Sequence, residues 1–256
     1  MSTHFLPIYK KNAIVEIDEM MPTVVMGNVD LEYILRFCKL YRISGICSLF
    51  LEGRPQEFAK NLHKSGRAFL FFLQNSDMHV KVLSKAGPFF DSIASNDLDC
   101  AMEIAKNSRL TWNENEEYED DFQYILFLMK HFFLKGTQNE CEGIIRRYEE
   151  ILDGELDSRL DICKGFVEND NKKFQTALRE LIEEHEDRYQ KLISDDAILP
   201  EEAVTEGKLY IEGLALLNLA KTKKFAIEDN YLFIPSTAKE KVEIAFSPTS
   251  WKDPYG

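Results

Sequence analysis

The stretch of this sequence best equipped for chemistry offers attraction, not catalysis. Residues 114–121 read Glu114, Asn115, Glu116, Glu117, Tyr118, Glu119, Asp120, Asp121, which is six carboxylates and one tyrosine in eight residues, set between Trp112 and Phe122 with no basic residue among them. Carboxylates so arranged steer a basic partner inward, while Trp112 and Tyr118 supply aromatic anchors. The plainer alternative is a solvated loop ahead of a helix whose N-terminal dipole welcomes acids. A second acidic concentration, Glu149, Glu150, Asp153, Glu155 and Asp157, falls at the next helical turn-around. Stacked hairpins would bring the two onto one edge. The candidate partner-binding residues are therefore Trp112, Glu114, Glu116, Glu117, Tyr118, Glu119, Asp120, Asp121, Asp153, Glu155 and Asp157.

Residues suited to turnover are less well spaced. The five histidines, His4, His63, His79, His131 and His185, contain no His-Glu-x-x-His. His185 has Glu183, Glu184, Glu186 and Asp187 beside it, but only side chains three or four apart converge on a helix. At those spacings it meets Leu181, Ile182, Arg188 and Tyr189, so a boundary histidine is expected rather than a metal ligand. Gly-x-Ser-x-Gly and phosphate-cradling glycine loops do not occur. Five scattered cysteines, Cys38, Cys47, Cys100, Cys141 and Cys163, form no Cys-x-x-Cys pair, which argues against zinc and against a disulfide framework. A reducing, cytoplasmic compartment is the expectation, with no cofactor and no catalytic residue.

The whole chain carries the same bias. Its 256 residues hold 31 Lys plus Arg against 44 Asp plus Glu, a formal net charge of −13. That charge repels nucleic acid and anionic membrane surfaces and attracts basic proteins. At 45% hydrophobic residues the chain has ample material for a core. The first twenty residues lack the apolar region of a signal peptide, and the run at 124–134 is broken by Lys130 and His131.

Helices must position these residues. Leu209, Gly213, Leu216 and Ala220 form one stripe, Tyr210, Leu214 and Leu217 a second, Ile211, Ala215 and Leu219 a third. A helix apolar on nearly every side is a buried one, so this segment is expected at the centre of the domain. Before it come three helix-turn-helix units, at about 89–105, 122–152 and 158–193. Asn96-Asp97 turns the first; Thr137 with Glu140 forms a capping box within the second; Asn169-Asp170 turns the third. Upstream, helices are expected from Asp30 to about Ile43, ended by Gly45, and from Pro55 to about Asn75. Residues 1–27 are read as irregular, with a weak strand-like alternation at 13–17. Thr237 with Glu240 could cap one last short helix, and residues 247–256 are read as an extended tail. The fold class is all-α: one domain of stacked antiparallel hairpins around a buried C-terminal helix.

Three of these stretches together resemble the bacterial immunity protein 49 family. They are the helix, Asn-Asp turn, helix unit at 93–105; the similar unit at 162–185, whose long helix reads Phe-x-x-Ala-Leu-x-x-Leu; and Glu212-Gly-Leu-Ala-Leu-Leu-Asn-Leu-Ala220 followed by Tyr231-Leu-Phe-Ile-Pro235. Family members often have Gly-Asp at the two turns where this chain has Asn-Asp, a mild departure because asparagine tolerates the left-handed conformation. The immunity proteins paired with polymorphic nuclease toxins are similar at the C-terminal helix. The resemblance implies a non-enzymatic inhibitor that binds a cognate toxin stoichiometrically, a toxin that often attacks nucleic acid. It carries over no catalytic residue and no interface residue. A helical-repeat adaptor for a peptide partner is the alternative from another class, and an enzyme with a helical active site is a third.

Overall fold

Five helix starts among the described residues are made by short side chains that accept backbone N–H groups. Asp30 accepts from Tyr33 N at 2.8 Å and Asp97 from Cys100 N at 3.1 Å. Asp157 accepts from Arg159 N, Asp170 from Lys172 N and Lys173 N, and Thr137 and Glu140 complete the expected capping box. Three helices end where the backbone turns left-handed: at Gly53 (φ 61°), Asp153 (φ 46°) and Asn169 (φ 54°). The resulting computed structural model describes residues 3–243 and 247–255, so the parts of the sequence readings that fall on residues 1, 2 and 256 lie outside the described residues.

Among the described residues there are eleven α-helices: α1 (Leu6–Val25), α2 (Leu31–Glu52), α3 (Pro55–Asn75), α4 (Gly87–Ala94), α5 (Leu98–Asn107), α6 (Glu119–Phe132), α7 (Gln138–Leu152), α8 (Ser158–Glu168), α9 (Asn171–Ser194), α10 (Pro200–Val204) and α11 (Ile211–Thr222). The chain is all-α, as its periodicity predicts. Helices α1, α2 and α3 pack side by side, α4 and α5 fold back on α3, and α6 with α7 and α8 with α9 form two hairpins joined through α7 and α8. Helix α11 is buried at eight of its twelve positions and lies against α4 and α9. Its Asn218 donates to the carbonyls of Ile93 and Ala94, and its Glu212 accepts from the Tyr124 hydroxyl at 2.7 Å. One continuous apolar cluster extends from Leu6 to Trp251. No helix of the described residues is long and apolar enough to cross a membrane.

Three sequence readings are corrected. Within 1–27, residues 3–25 are helical rather than irregular: Leu6, Ala13, Ile17, Met20, Met21 and Val24 bury one stripe of α1 against α2. Pro22 deprives α1 of one hydrogen bond near its end, and burial of the stripe outweighs that loss. Gly45 does not end α2 but lets α3 approach it closely: a Cβ there would stand 2.9 Å from Asn61 Cβ and 3.1 Å from the Phe58 carbonyl oxygen. Nor are the described residues of 247–256 a free extended tail. Residues Ser250–Lys252 make one 3-10 turn that buries Trp251 to 1% exposure between Phe37 and Phe71, while Tyr41 OH donates to the Trp251 carbonyl and Lys64 Nζ to that of Asp253. Two boundaries also move. Leu209 and Tyr210 precede α11 instead of opening it, Tyr210 N donating to the Phe233 carbonyl. Ser236–Lys239 form a 3-10 turn where a capped helix is expected.

Candidate binding edge

The acidic run starts as a tight turn and ends as a helix. Asn113 accepts the N–H groups of Glu116 and Glu117 through its carbonyl, and Trp112 Nε1 donates to the Glu117 carbonyl at 3.0 Å, which folds residues 112–117 into a knuckle. Tyr118 then stands at the N-cap position of α6, and Glu119, Asp120 and Asp121 fill its first turn, where the helix dipole favours them.

The knuckle divides the acids by burial. Glu114 and Glu116 are exposed, with Trp112 at 40% and Tyr118 at 80% exposure. Glu117 points inward and is buried: one carboxylate oxygen accepts from Ser84 N at 2.8 Å and the other from Arg109 at 3.2 Å. It therefore tethers the knuckle to the segment before α4 and cannot meet a partner without unfolding that link.

The remaining acids are bound by arginines from the next two helices, which corrects the sequence reading of an unneutralised strip. Arg147 of α7 makes a two-pronged contact with Glu119, both arms at 2.8 Å, and holds that carboxyl below the usual range. Arg159 of α8 reaches Asp121 at 2.5 Å, Asp120 at 3.5 Å and Asp157 at 2.9 Å, and its guanidinium lies 5.5 Å from the Tyr124 ring centre. Burial opposes the charged form of Asp157, yet Arg159 and the Tyr148 hydroxyl, donating at 2.5 Å, hold its carboxyl below the ordinary value. Asp153 and Glu155 remain exposed, and the left-handed backbone at Asp153 and Gly154 turns the chain between α7 and α8. Two arginines thus join the two acidic concentrations, Arg147 linking Glu119 to Glu150 and Arg159 linking Asp120 and Asp121 to Asp157. Each arginine also binds an acid of its own helix end, Arg147 with Glu150 and Arg159 with Asp157, but nothing in the local sequence marks its contact with the first turn of α6.

The other polar constellations are built differently. A cleft of about 440 Å³ between α2, α9 and the start of α11 contains Glu212, whose carboxyl burial pushes up, and His185, which burial lowers to about 4. His185 is stacked on Tyr210 with ring centres 4.3 Å apart, as a boundary histidine. His63 lies 2.6 Å from Asp97, the spacing of a base and its orienting acid, but its second ring nitrogen faces the Ser247 carbonyl at 3.0 Å and so anchors the C-terminal segment. Burial pushes the thiols of Cys47 and Cys100 up to about 12, which keeps them in the unreactive protonated form. Among the described residues no group of three or more His, Cys, Asp or Glu is arranged to hold a metal ion.

A family model described as Immunity protein 49 matches residues 57–238. No curated protein and no solved structure matches the chain. The matched span holds the whole acidic edge and α11, while α1, α2 and the Trp251 turn lie outside it.

Proposed function

This chain belongs to the immunity protein 49 family, and from that premise we propose that it neutralises a cognate bacterial toxin by direct, stoichiometric binding. The toxin domain is basic, a nuclease effector whose active site the bound inhibitor covers in the cytoplasm. The observation that carries this reading is the edge where the ends of two helical hairpins meet: Glu114, Glu116, Asp153 and Glu155 exposed, Glu119, Asp120, Asp121 and Asp157 linked through Arg147 and Arg159, and Trp112 and Tyr118 outermost. A nuclease must present basic groups to phosphate. An acidic, pre-organised edge on a molecule of net charge −13 competes for those groups without having to rearrange. Charge raises the association rate, and the aromatic side chains slow dissociation.

The test is co-expression with a basic toxic domain sought in the neighbouring reading frames, followed by sizing of the purified pair. Cells survive, and the two chains elute as a complex with fixed stoichiometry. Survival without a complex would overturn direct binding, and death despite abundant folded protein would overturn the immunity reading.

A further inference from the structure

Helix α1 buries one stripe against α2 and turns another face to solvent. Phe5, Ile8, Val15, Val25 and Met26 are between 39% and 75% exposed, and Pro22 is exposed with them. Apolar side chains exposed singly are ordinary on a protein surface. These are aligned: Ile8, Val15 and Pro22 recur every seven residues, which is one line along a helix, and Met26 continues it past the last turn. A continuous apolar line on an outer helix marks an interaction surface.

The charges beside that line are not used within the chain. On the flanks of α1, Lys10 is paired with Glu52 and Glu16 with Arg36, both of α2. On the outer face Lys11, Asp18 and Glu19 are exposed, and none has a salt bridge among the described residues. The cation stands four residues before Val15, and the acids three and four residues after it. A helix face in this order is its own complement when reversed. A half-turn about an axis beside Val15, perpendicular to α1, sets a second copy antiparallel, Val15 against Val15 and Ile8 against the partner's Pro22. Lys11 then meets the partner's Asp18 and the partner's Glu19, twice over by symmetry. Neighbouring registers are worse: one heptad toward the C-terminus sets Asp18 against the partner's Glu19, and one heptad toward the N-terminus brings the two Lys11 side chains together at the axis.

We propose that α1 is the contact of a homodimer, packed antiparallel on the α1 of a second copy about a two-fold axis beside Val15. A two-fold contact is isologous, so one self-complementary face is sufficient. The net charge of −13 opposes association of two copies in general. Opposite charges placed symmetrically about an apolar line make this one approach favourable. Helix α1 lies outside the matched span 57–238, and the contact does not depend on the toxin reading.

The full chain, purified without toxin, is followed by sedimentation over a concentration series. The parent shows a reversible monomer–dimer equilibrium. Val15→Glu, which places two carboxylates at the axis, weakens it at least about tenfold, and so does Lys11→Glu. Lys11→Glu combined with Asp18→Lys and Glu19→Lys restores it, because the complementary order is kept with its signs exchanged. Each replaced side chain is exposed, and unchanged urea midpoints confirm folding. Register is read by mild air oxidation: Val15→Cys closes a covalent dimer, whereas Glu19→Cys does not, because its two copies stand about 12 Å apart along the helices. The five native cysteines are buried. A parent that stays monomeric throughout, a dimer indifferent to Val15→Glu, or a triple charge variant as weak as Lys11→Glu would overturn the proposal. A monomeric parent whose toxin capture is lost on Val15→Glu would give this face to the toxin instead, and one that co-sediments with phosphatidylglycerol vesicles would give it to a lipid surface.

Discussion

Glu117 and Glu116 are neighbours of one chemical type with opposite roles. Glu117 is buried against Arg109, whose Nε has no partner, and Glu116 is in solvent. Removing one charge of a buried pair leaves the other uncompensated, so Glu117→Gln lowers unfolding stability by about 3 kcal/mol, while Glu116→Gln changes it by less than about 0.5 kcal/mol. Urea titration of the two variants checks both, and equal stabilities would remove Glu117 from its structural role. His185 and His131 set a pH dependence at the same scale. Burial holds both down to about 4, whereas the unfolded chain takes up protons near pH 6.5. The unfolded state therefore binds more protons between these values, so the contribution is fully present above about pH 6.5 and is lost as pH falls toward 4. His185→Phe keeps a ring against Tyr210 and removes its share, on the order of 1–3 kcal/mol, of the loss over that window. Unfolding curves between pH 4 and 7 that run parallel for parent and variant would contradict this.

Helices in this protein are held together at points where no side chain fits. A Cβ added at Gly165 of α8 would lie 2.9 Å from Phe174 N and 3.1 Å from Phe174 Cα, backbone atoms of α9 that cannot swing aside. Gly165→Ala is expected to cost about 1–3 kcal/mol and to spread the α8–α9 hairpin. Loss of stability in urea is the expected result; an unaltered variant would show that the crossing is looser than it stands. Helix α1 shows what local reading misses. Pro22 and the alternation at 13–17 suggest irregular chain or strand, yet its buried stripe recurs at helical spacing and is satisfied only by α2. Propensity is a weak prior against a long apolar face that finds a partner.

For the molecule as a whole, charge and closure matter most. Neutralising Glu114 and Glu116 together, Glu114→Gln with Glu116→Gln, slows toxin capture about 3- to 10-fold at low salt, and the difference disappears at high salt as screening shortens the reach of the field. Stopped-flow mixing at two ionic strengths reads this directly, and rates that match the parent at both would remove the knuckle from the interface. Closure depends on Trp251, which lies between α2 and α3 and brings the last turn of the chain onto the N-terminal helices. Trp251→Ala should cost about 3–5 kcal/mol and raise hydrogen exchange in α2 and α3 before α8 and α9. Uniform acceleration across the protein would mean that the turn does not act locally.

Sequence by itself determined the helical class, the three helix-turn-helix units that precede α11 and the burial of α11, because caps, left-handed turns and 3.6-residue periodicity are local properties written in neighbouring residues. It also determined that the molecule is acidic. Only the tertiary structure decided which acids remain available. Arg147 and Arg159 come from other helices to bind Glu119, Asp120 and Asp121, Arg109 and Ser84 draw Glu117 inside, and the α9 carboxylates are left facing solvent between α8 and α9. Whether a charge is free depends on what stands within a few ångströms in space, and at separations of 8 to 39 residues the sequence does not record that distance.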